Sequence, residues 1–241
     1  MMRHKKFSGR WLAVMVAAVG ASTLSAVSAS ATLLVDYKAV NYNATNGVWT
    51  DSSGNGNNAT TPNGVTAPTL LANATPNGSS AVNFTNGSQT EYLSITTSLA
   101  AGSGYTVLAF AESTEASYFE NVVGGPAGAM TYHLEPTQGV NYQVLDNNGT
   151  TFGSSSTGVP TSAFSMIGVA TDNVGNATFY FNGSADGTTT GNDAFASPIN
   201  LIGDAPTDGL FTGSIAELQI YSGVLTPARF RPYIKRSSTC T

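Results

Sequence analysis

Cysteine is nearly missing. Cys240 is the only one in 241 residues, so no internal disulfide can staple the fold. Without staples, a domain must hold itself by buried core area or by metal. Cys240 sits in the polar tail 237–241 and reads as an exposed thiol or, alternatively, an intermolecular attachment point. Basic charge is scarce and lies at the two ends. Arg3, Lys5, Lys6 and Arg10 precede the first apolar run, and Arg229, Arg231, Lys235 and Arg236 lie near the C-terminus. Between residues 32 and 228, Lys38 stands alone against all fourteen acids. Such a surface repels phosphate backbones and anionic membranes, which excludes nucleic acid as a partner. Neutral sugars and calcium remain compatible with it. Histidine is equally sparse: after residue 31 only His133 is left, too little for a zinc site. Tryptophan is reduced to Trp49 over the same span.

Long hydrophobic runs are absent except for one, Trp11 to Val19. It follows the four basic residues and is followed by small residues ending in Ala29-Ser30-Ala31. That is the pattern of a secretory signal cleaved after Ala31. The run falls short of the ~20 residues a membrane span needs. The sequence therefore predicts a signal over 1–31, one domain over 32–235 and a polar tail over 236–241. The product is expected to be secreted, extracellular or at the cell surface, and not membrane-spanning after processing.

The remainder reads as strand, turn, strand. Strands are predicted at 33–39, 81–85, 92–96, 105–112, 118–123, 129–135, 140–146, 164–171, 177–182, 198–202 and 214–221, all short and rich in β-branched or aromatic residues. Asn86-Gly87, Asn148-Gly149 and Asn182-Gly183 offer the positive φ that hairpin turns demand. Residues 41–74 are poor in core-forming types and read as long surface loops, and 154–156 as a flexible loop. In Phe164 to Val169 both faces are apolar, which marks a central strand. Nine Asn-x-Ser/Thr sequons point to surface turns. Thr226-Pro227 reads as the N-cap and first turn of one short C-terminal helix. Many short strands with regular turns predict an all-β, two-sheet antiparallel sandwich or jelly roll.

Five segments, in order, resemble laminin-G-like, concanavalin-A-like jelly-roll domains. They are GVWTDSSGNGNNAT, AVNFTNGSQTEYLSI, GYTVLAFAES, FSMIGVATDNVGNATFYFNGSADGT and INLIGDAPTDGLFTGSIAELQIYSGVLTPARF. The resemblance implies two stacked sheets of about six or seven strands each. It also implies frequent calcium, with carbohydrate or protein ligands. Two departures stand out: Ala216 replaces an acidic residue often found before the closing Glu217, and with only Trp49 available, sugar platforms would have to be tyrosines.

Asp51-Ser52-Ser53-Gly54-Asn55-Gly56 places oxygen-bearing Asp51, Ser53 and Asn55 at alternate positions, as a loop wrapping calcium would. The same spacing suits a turn closed by Asx-type hydrogen bonds. The resemblance brings Glu217 near this loop as a fourth metal ligand. Thr131, His133, Glu135, Asn141 and Gln143 fall on one parity across a predicted hairpin and form a candidate ligand-binding stripe. Asp204 and Asp208 mark a second polar loop. Hydrolysis of a glycoside needs two close carboxylates. Glu112 and Glu115, three apart, fall on opposite faces of a regular strand. The expected function is thus a secreted, non-catalytic module binding extracellular carbohydrate, with calcium as support. The alternatives are a structural or adhesive protein binding protein partners and, behind both, a glycoside hydrolase.

Overall fold

The computed structural model describes residues 31–85, 90–99, 104–114, 120–125, 131–133, 141–145, 151–158, 160–172, 174–190, 198–204 and 209–225, with backbone alone for 131–133, 141–145 and 151–152. Every regular element among them is a strand. The first eight are β1 (Thr32–Asn43), β2 (Val48–Asp51), β3 (Ala59–Thr60), β4 (Thr69–Leu71), β5 (Ala81–Phe84), β6 (Leu93–Leu99), β7 (Gly104–Ser113) and β8 (Asn121–Gly124). They continue as β9 (Thr131–His133), β10 (Asn141–Leu145), β11 (Thr151–Gly158), β12 (Ser165–Asp172), β13 (Ala177–Phe181), β14 (Ser184–Thr189), β15 (Ile199–Ile202) and β16 (Gly213–Ser222). The expected signal, the helix from Thr226 and Cys240 lie outside the described residues.

All strand pairs are antiparallel, and the hydrogen-bonded path runs β11-β10-β9-β8-β15-β6-β3-β2-β1-β16-β7-β12-β13-β14. The expected sandwich is present, but its two layers are one ladder folded over at β1-β2-β3. β5 pairs with the start of β16, and β4 lies outside β5. The two ends of the path meet, β11 against β14: Thr157 donates from its N (3.2 Å) and Oγ1 (2.7 Å) to Asp186.

Period-two alternation fills the interior. Val35 and Tyr37, Val107 and Ala109, Ile167 and Val169, Leu218 and Ile220 all point inward into one core. Trp49 is its largest fully buried side chain, 5.3 Å from the Tyr37 ring and 6.1 Å from the Tyr42 ring. Its Nε1 donates to the Lys38 carbonyl at 2.8 Å. Tyr42 donates to the Pro68 carbonyl (2.7 Å), and Tyr37 to that of Asn57. Burial pushes the Tyr42 hydroxyl up to about 12, the Glu91 charge adding to this and a Thr61 hydrogen bond opposing it.

β12 is central, between β7 and β13, and buried on both faces. Asn182 and Gly183 have φ of 47° and 81°, the left-handed pair a tight hairpin needs. Asn182 Oδ1 also accepts from Met166 N at 3.0 Å, extending the ladder by one rung.

Two expectations fail. Residues 41–74 are not all loop: they carry the end of β1 and β2, β3 and β4. Ser154 to Ser156 lie within strand β11. These strands, and β14, are polar, short or glycine-rich. β2 carries strand-favouring Val48, Trp49 and Thr50 in a run too short to read as a strand, while in β11 and β14 the ladder partners impose the extended backbone.

Candidate functional site

The Asp51 loop is a closed hydrogen-bond cluster. Asp51 Oδ1 accepts from the backbone N of Asp36 (2.9 Å) and of Ser53 (2.8 Å). Its Oδ2 accepts from Ser53 Oγ (2.7 Å) and Asn57 N (3.1 Å). Asn55 Nδ2 donates to the carbonyls of Leu33 (2.8 Å) and Leu34 (3.1 Å), and Asn57 Nδ2 to that of Leu34 (2.9 Å). Calcium needs about six to eight oxygens. Here the carboxylate and the nearby carbonyls are already engaged by protein donors, so the loop as arranged does not fit the ion. Glu217 is turned elsewhere. Asp51 stands opposite Tyr37 and Glu217 opposite Lys38, consecutive β1 residues whose side chains leave opposite faces. Asp51, Ser53 and Asn55 therefore come together without Glu217.

The polar stripe is assembled in register. His133 lies across from Gln143 on β10, Gln143 across from Ser154 on β11, and Asn141 across from Gly158. Thr131 lies across from Leu145. Glu135 and Asp208 lie outside the described residues. On the other side of β9, His133 is opposite Asn121. Asn121 is fully buried and donates from Nδ2 to the Gly209 carbonyl at 2.8 Å. This links the stripe to the loop that follows β15. Gly203 there donates to Val122 O (3.0 Å), and half-buried Asp204 follows it. Asn121 thus joins two candidates that the sequence presents as separate.

The described residues also form a groove of about 430 Å³ on the outer face of β1, β16, β7 and β12. Its floor carries Phe110, Met166 and Ala216, its side Lys38 and Glu217, and its rim residues 77–80. The register explains the assembly. Glu217 stands opposite Lys38 on one side and Phe110 on the other, and Phe110 opposite Met166. A β-bulge between Ile215 and Glu217 inserts Ala216 as the extra residue. Ile215 and Leu218 both stay in the core, so the bulge turns Ala216 and Glu217 toward the groove. The small Ala216 leaves open the space that an acidic side chain would occupy. Phe110 is half-buried, and Phe164 braces it with ring centroids 5.2 Å apart.

The rim is rigid. Thr75, 5 % exposed, accepts at its carbonyl from Gly78 N (2.9 Å) and at Oγ1 from Ser79 N (2.8 Å). Gly78, at φ 77°, allows this tight return.

A polar row runs beside the groove on the same face. Lys38 Nζ lies 3.0 Å from Asp36 Oδ2. Gln219 Nε2 donates to Asp36 Oδ1 (2.9 Å), and Tyr221 OH donates to Gln219 Oε1 (2.6 Å). Glu112 shares this face by parity with Phe110. Burial raises its carboxyl above the usual range, against a Ser214 hydrogen bond that lowers it.

Sequence reasoning missed Lys38, Phe110, Met166 and the 77–80 rim, which are far apart in the chain. One signal was legible: in β7 the larger Leu108 and Phe110 alternate against the smaller Val107, Ala109 and Ala111. Trp49 is no platform, being wholly buried, and the aromatic at the groove is a phenylalanine.

No curated protein matches the chain. Among solved structures, domain 4 of AbnA, a GH43 extracellular arabinanase from Geobacillus stearothermophilus, in complex with arabinotriose, aligns with a TM-score of 0.62 at 19% identity, covering 83% of this chain and 96% of that one. The binding domain of Paraclostridial Mosquitocidal Protein 1 aligns with a TM-score of 0.59 at 13% identity, covering 85% and 52%. A botulinum neurotoxin type C structure, whose cell entry depends on two ganglioside molecules, gives 0.56 at 11%, covering 86% and 51%. The chain spans about half the length of these two toxin structures. These likenesses establish the fold. Residues 85–229 match the family profile, and the chain belongs to the concanavalin A-like lectin/glucanases superfamily.

Proposed function

We propose that this protein is a secreted, non-catalytic module that binds extracellular carbohydrate in the groove beside the β16 bulge. The observation that carries the reading is the groove itself. The half-buried Phe110 ring, backed by the buried Met166, offers an apolar floor for the C–H face of a sugar ring. Lys38, Glu217 and the 77–80 rim surround that floor with donors and acceptors for hydroxyls. The superfamily and the arabinotriose complex of the AbnA domain support it. The test is a panel of polysaccharides against the purified chain, with calcium and with chelator. Binding that Phe110→Ala abolishes supports the proposal. Since the Asp51 loop already engages its oxygens internally, chelation is expected to leave binding unchanged. Absence of binding to every polysaccharide would instead favour an adhesive or structural role with protein partners.

One observation favours a second reading, a glycoside hydrolase. Glu112 is the diagonal neighbour of Glu217 on the outer face, which puts their Cα atoms about 7–8 Å apart. Two carboxylates that share one sheet face within reach of a single substrate can serve as acid and base. Release of reducing sugar by the wild type, lost in Glu112→Gln and Glu217→Gln, would replace the binding reading.

A further inference from the structure

We propose that Asn63, in the turn between β3 and β4, is a site of spontaneous modification, where the side-chain amide is converted to aspartate and isoaspartate. The inference stands apart from the carbohydrate-binding reading. An asparagine followed by glycine is labile because glycine, having no Cβ, leaves its backbone nitrogen open to the asparagine side chain. Five such steps lie among the described residues: Asn46-Gly47, Asn55-Gly56, Asn63-Gly64, Asn77-Gly78 and Asn182-Gly183. Asn86-Gly87 and Asn148-Gly149 lie outside them. The dipeptide is the same in all five, so only the surroundings can rank them.

Four of the five are held. Asn46 Oδ1 accepts from Val48 N (3.2 Å), and Gly47 packs so tightly that a Cβ there would lie 2.3 Å from Thr61 Oγ1. Asn55 Nδ2 donates to Ser53 Oγ (2.9 Å) as well as to the Leu33 and Leu34 carbonyls. Asn77 Oδ1 accepts from Thr75 Oγ1 and from Ser79 N (3.3 Å), and the nitrogen that would attack, Gly78 N, donates to the Thr75 carbonyl (2.9 Å). Asn182 is fastened to Met166 twice, through Oδ1 (3.0 Å) and through its own N (2.8 Å). Asn63 differs. It is exposed, and its side chain makes no hydrogen bond among the described residues. Gly64 has φ 83° and open space where a Cβ would stand. Val65 N closes the turn on the Pro62 carbonyl (3.1 Å), which leaves Gly64 N outside that bond.

The reaction needs only water. Gly64 N gives up its proton and attacks Asn63 Cγ. The N–Cγ bond forms, the Cγ–Nδ2 bond breaks, and ammonia leaves, carrying that proton. Water then opens the resulting succinimide, at one carbonyl to aspartate and at the other to isoaspartate. Nothing is oxidised or reduced. To reach Cγ, the side chain and the backbone beside it must rotate, so every hydrogen bond that holds them lowers the reactive population. That cost is smallest at Asn63.

The experiment incubates the purified full chain in mildly alkaline buffer at body temperature, once folded and once in denaturant. Samples are digested with chymotrypsin, and mass spectrometry follows the amide-to-acid conversion at each of the five steps. In the folded chain Asn63 is expected to convert about tenfold faster than any of the other four, which must first break hydrogen bonds that Asn63 does not make. In denaturant those bonds are gone, and the five rates should converge. Folded-state conversion at Asn46, Asn55, Asn77 or Asn182 as fast as at Asn63 would overturn the proposal. So would a lead for Asn63 that persists undiminished in denaturant, because local sequence and not the fold would then set the rate.

Discussion

The Asp51 loop and the β16 groove are both polar, yet they are organised in opposite ways. In the loop, one short segment supplies most of the polar groups, and they answer one another: Asp51 alone accepts four hydrogen bonds at 2.7–3.1 Å. In the groove, polar groups from β1, β16 and the β4–β5 turn meet around an apolar floor. The loop spends its hydrogen-bonding capacity on the fold, fastening β2 to the start of β1. The groove's polar groups, Lys38 paired with Asp36 among them, border a concave surface. Density of oxygen-bearing residues along a chain therefore marks a site poorly. Half-buried polar groups brought together by register mark it better.

The comparison can be broken or sharpened experimentally, starting with the largest effect. Trp49→Ala removes the centre of the aromatic cluster that the loop encloses. It should cost about 3–5 kcal/mol, read as a lower denaturant midpoint. Asp51→Ala should come next, because it strands buried backbone donors at Asp36 and Ser53. A loss of about 2–4 kcal/mol is expected in the same measurement, and calcium should not alter it. A calcium-dependent rise in midpoint for the wild type, absent in Asp51→Ala, would break the contrast by making the loop a metal site.

Groove variants should show the reverse pattern. Ala216→Met fills the floor from the bulge. Glycan affinity should fall by at least about tenfold, while the free energy of unfolding changes by less than ~1 kcal/mol, since the residue lines the groove. A large stability loss with unchanged binding would show that the groove is structural and not a site.

The smallest effect concerns Asp172 in the β12–β13 turn. Burial tends to raise its carboxyl, but hydrogen bonds from the backbone and side chain of Asn176 and from Val174 and Gly175 prevail and hold it below the usual range. Its folded-state pKa is thus lower than its unfolded one. The stability it contributes is complete above the unfolded value and is lost as pH falls through the folded one. Asp172→Asn should therefore flatten the acid limb of the Tm-against-pH profile by about a degree, as fits a half-buried turn group that solvent screens. It should leave glycan binding untouched. An unchanged acid limb would show that the turn does not depend on the carboxylate charge.

How much was legible in the chain follows from the range of the forces involved. β12 could be read as central because its apolar residues fall on both parities, from Met166 to Val169. The Asn182-Gly183 turn was legible because positive φ is a local requirement that few residues meet. β11 and β14 were not. Their Ser, Gly and Asp residues disfavour a strand more than their few Thr favour one, and pairing to β10 and β13 extends them. Among candidate residues, Asp51, Ser53 and Asn55 could be grouped because they are neighbours in sequence. Glu217 could not be assigned its partner, since that depends on which face of β1 it meets.

By itself, then, the sequence determined an all-β superfamily fold, through alternation and turn residues that act within a few positions. It also determined an acidic surface with a single mid-chain cation, which restricts the ligand before any geometry is known. The tertiary structure decided that Lys38, Phe110, Met166 and Glu217 share one concave face, although up to 179 positions separate them. It likewise decided that Asp51 turns inward. The reason is register: a shift of one residue in the β1–β16 pairing would send Lys38 and Glu217 to opposite faces, and nothing local to either residue records which pairing forms.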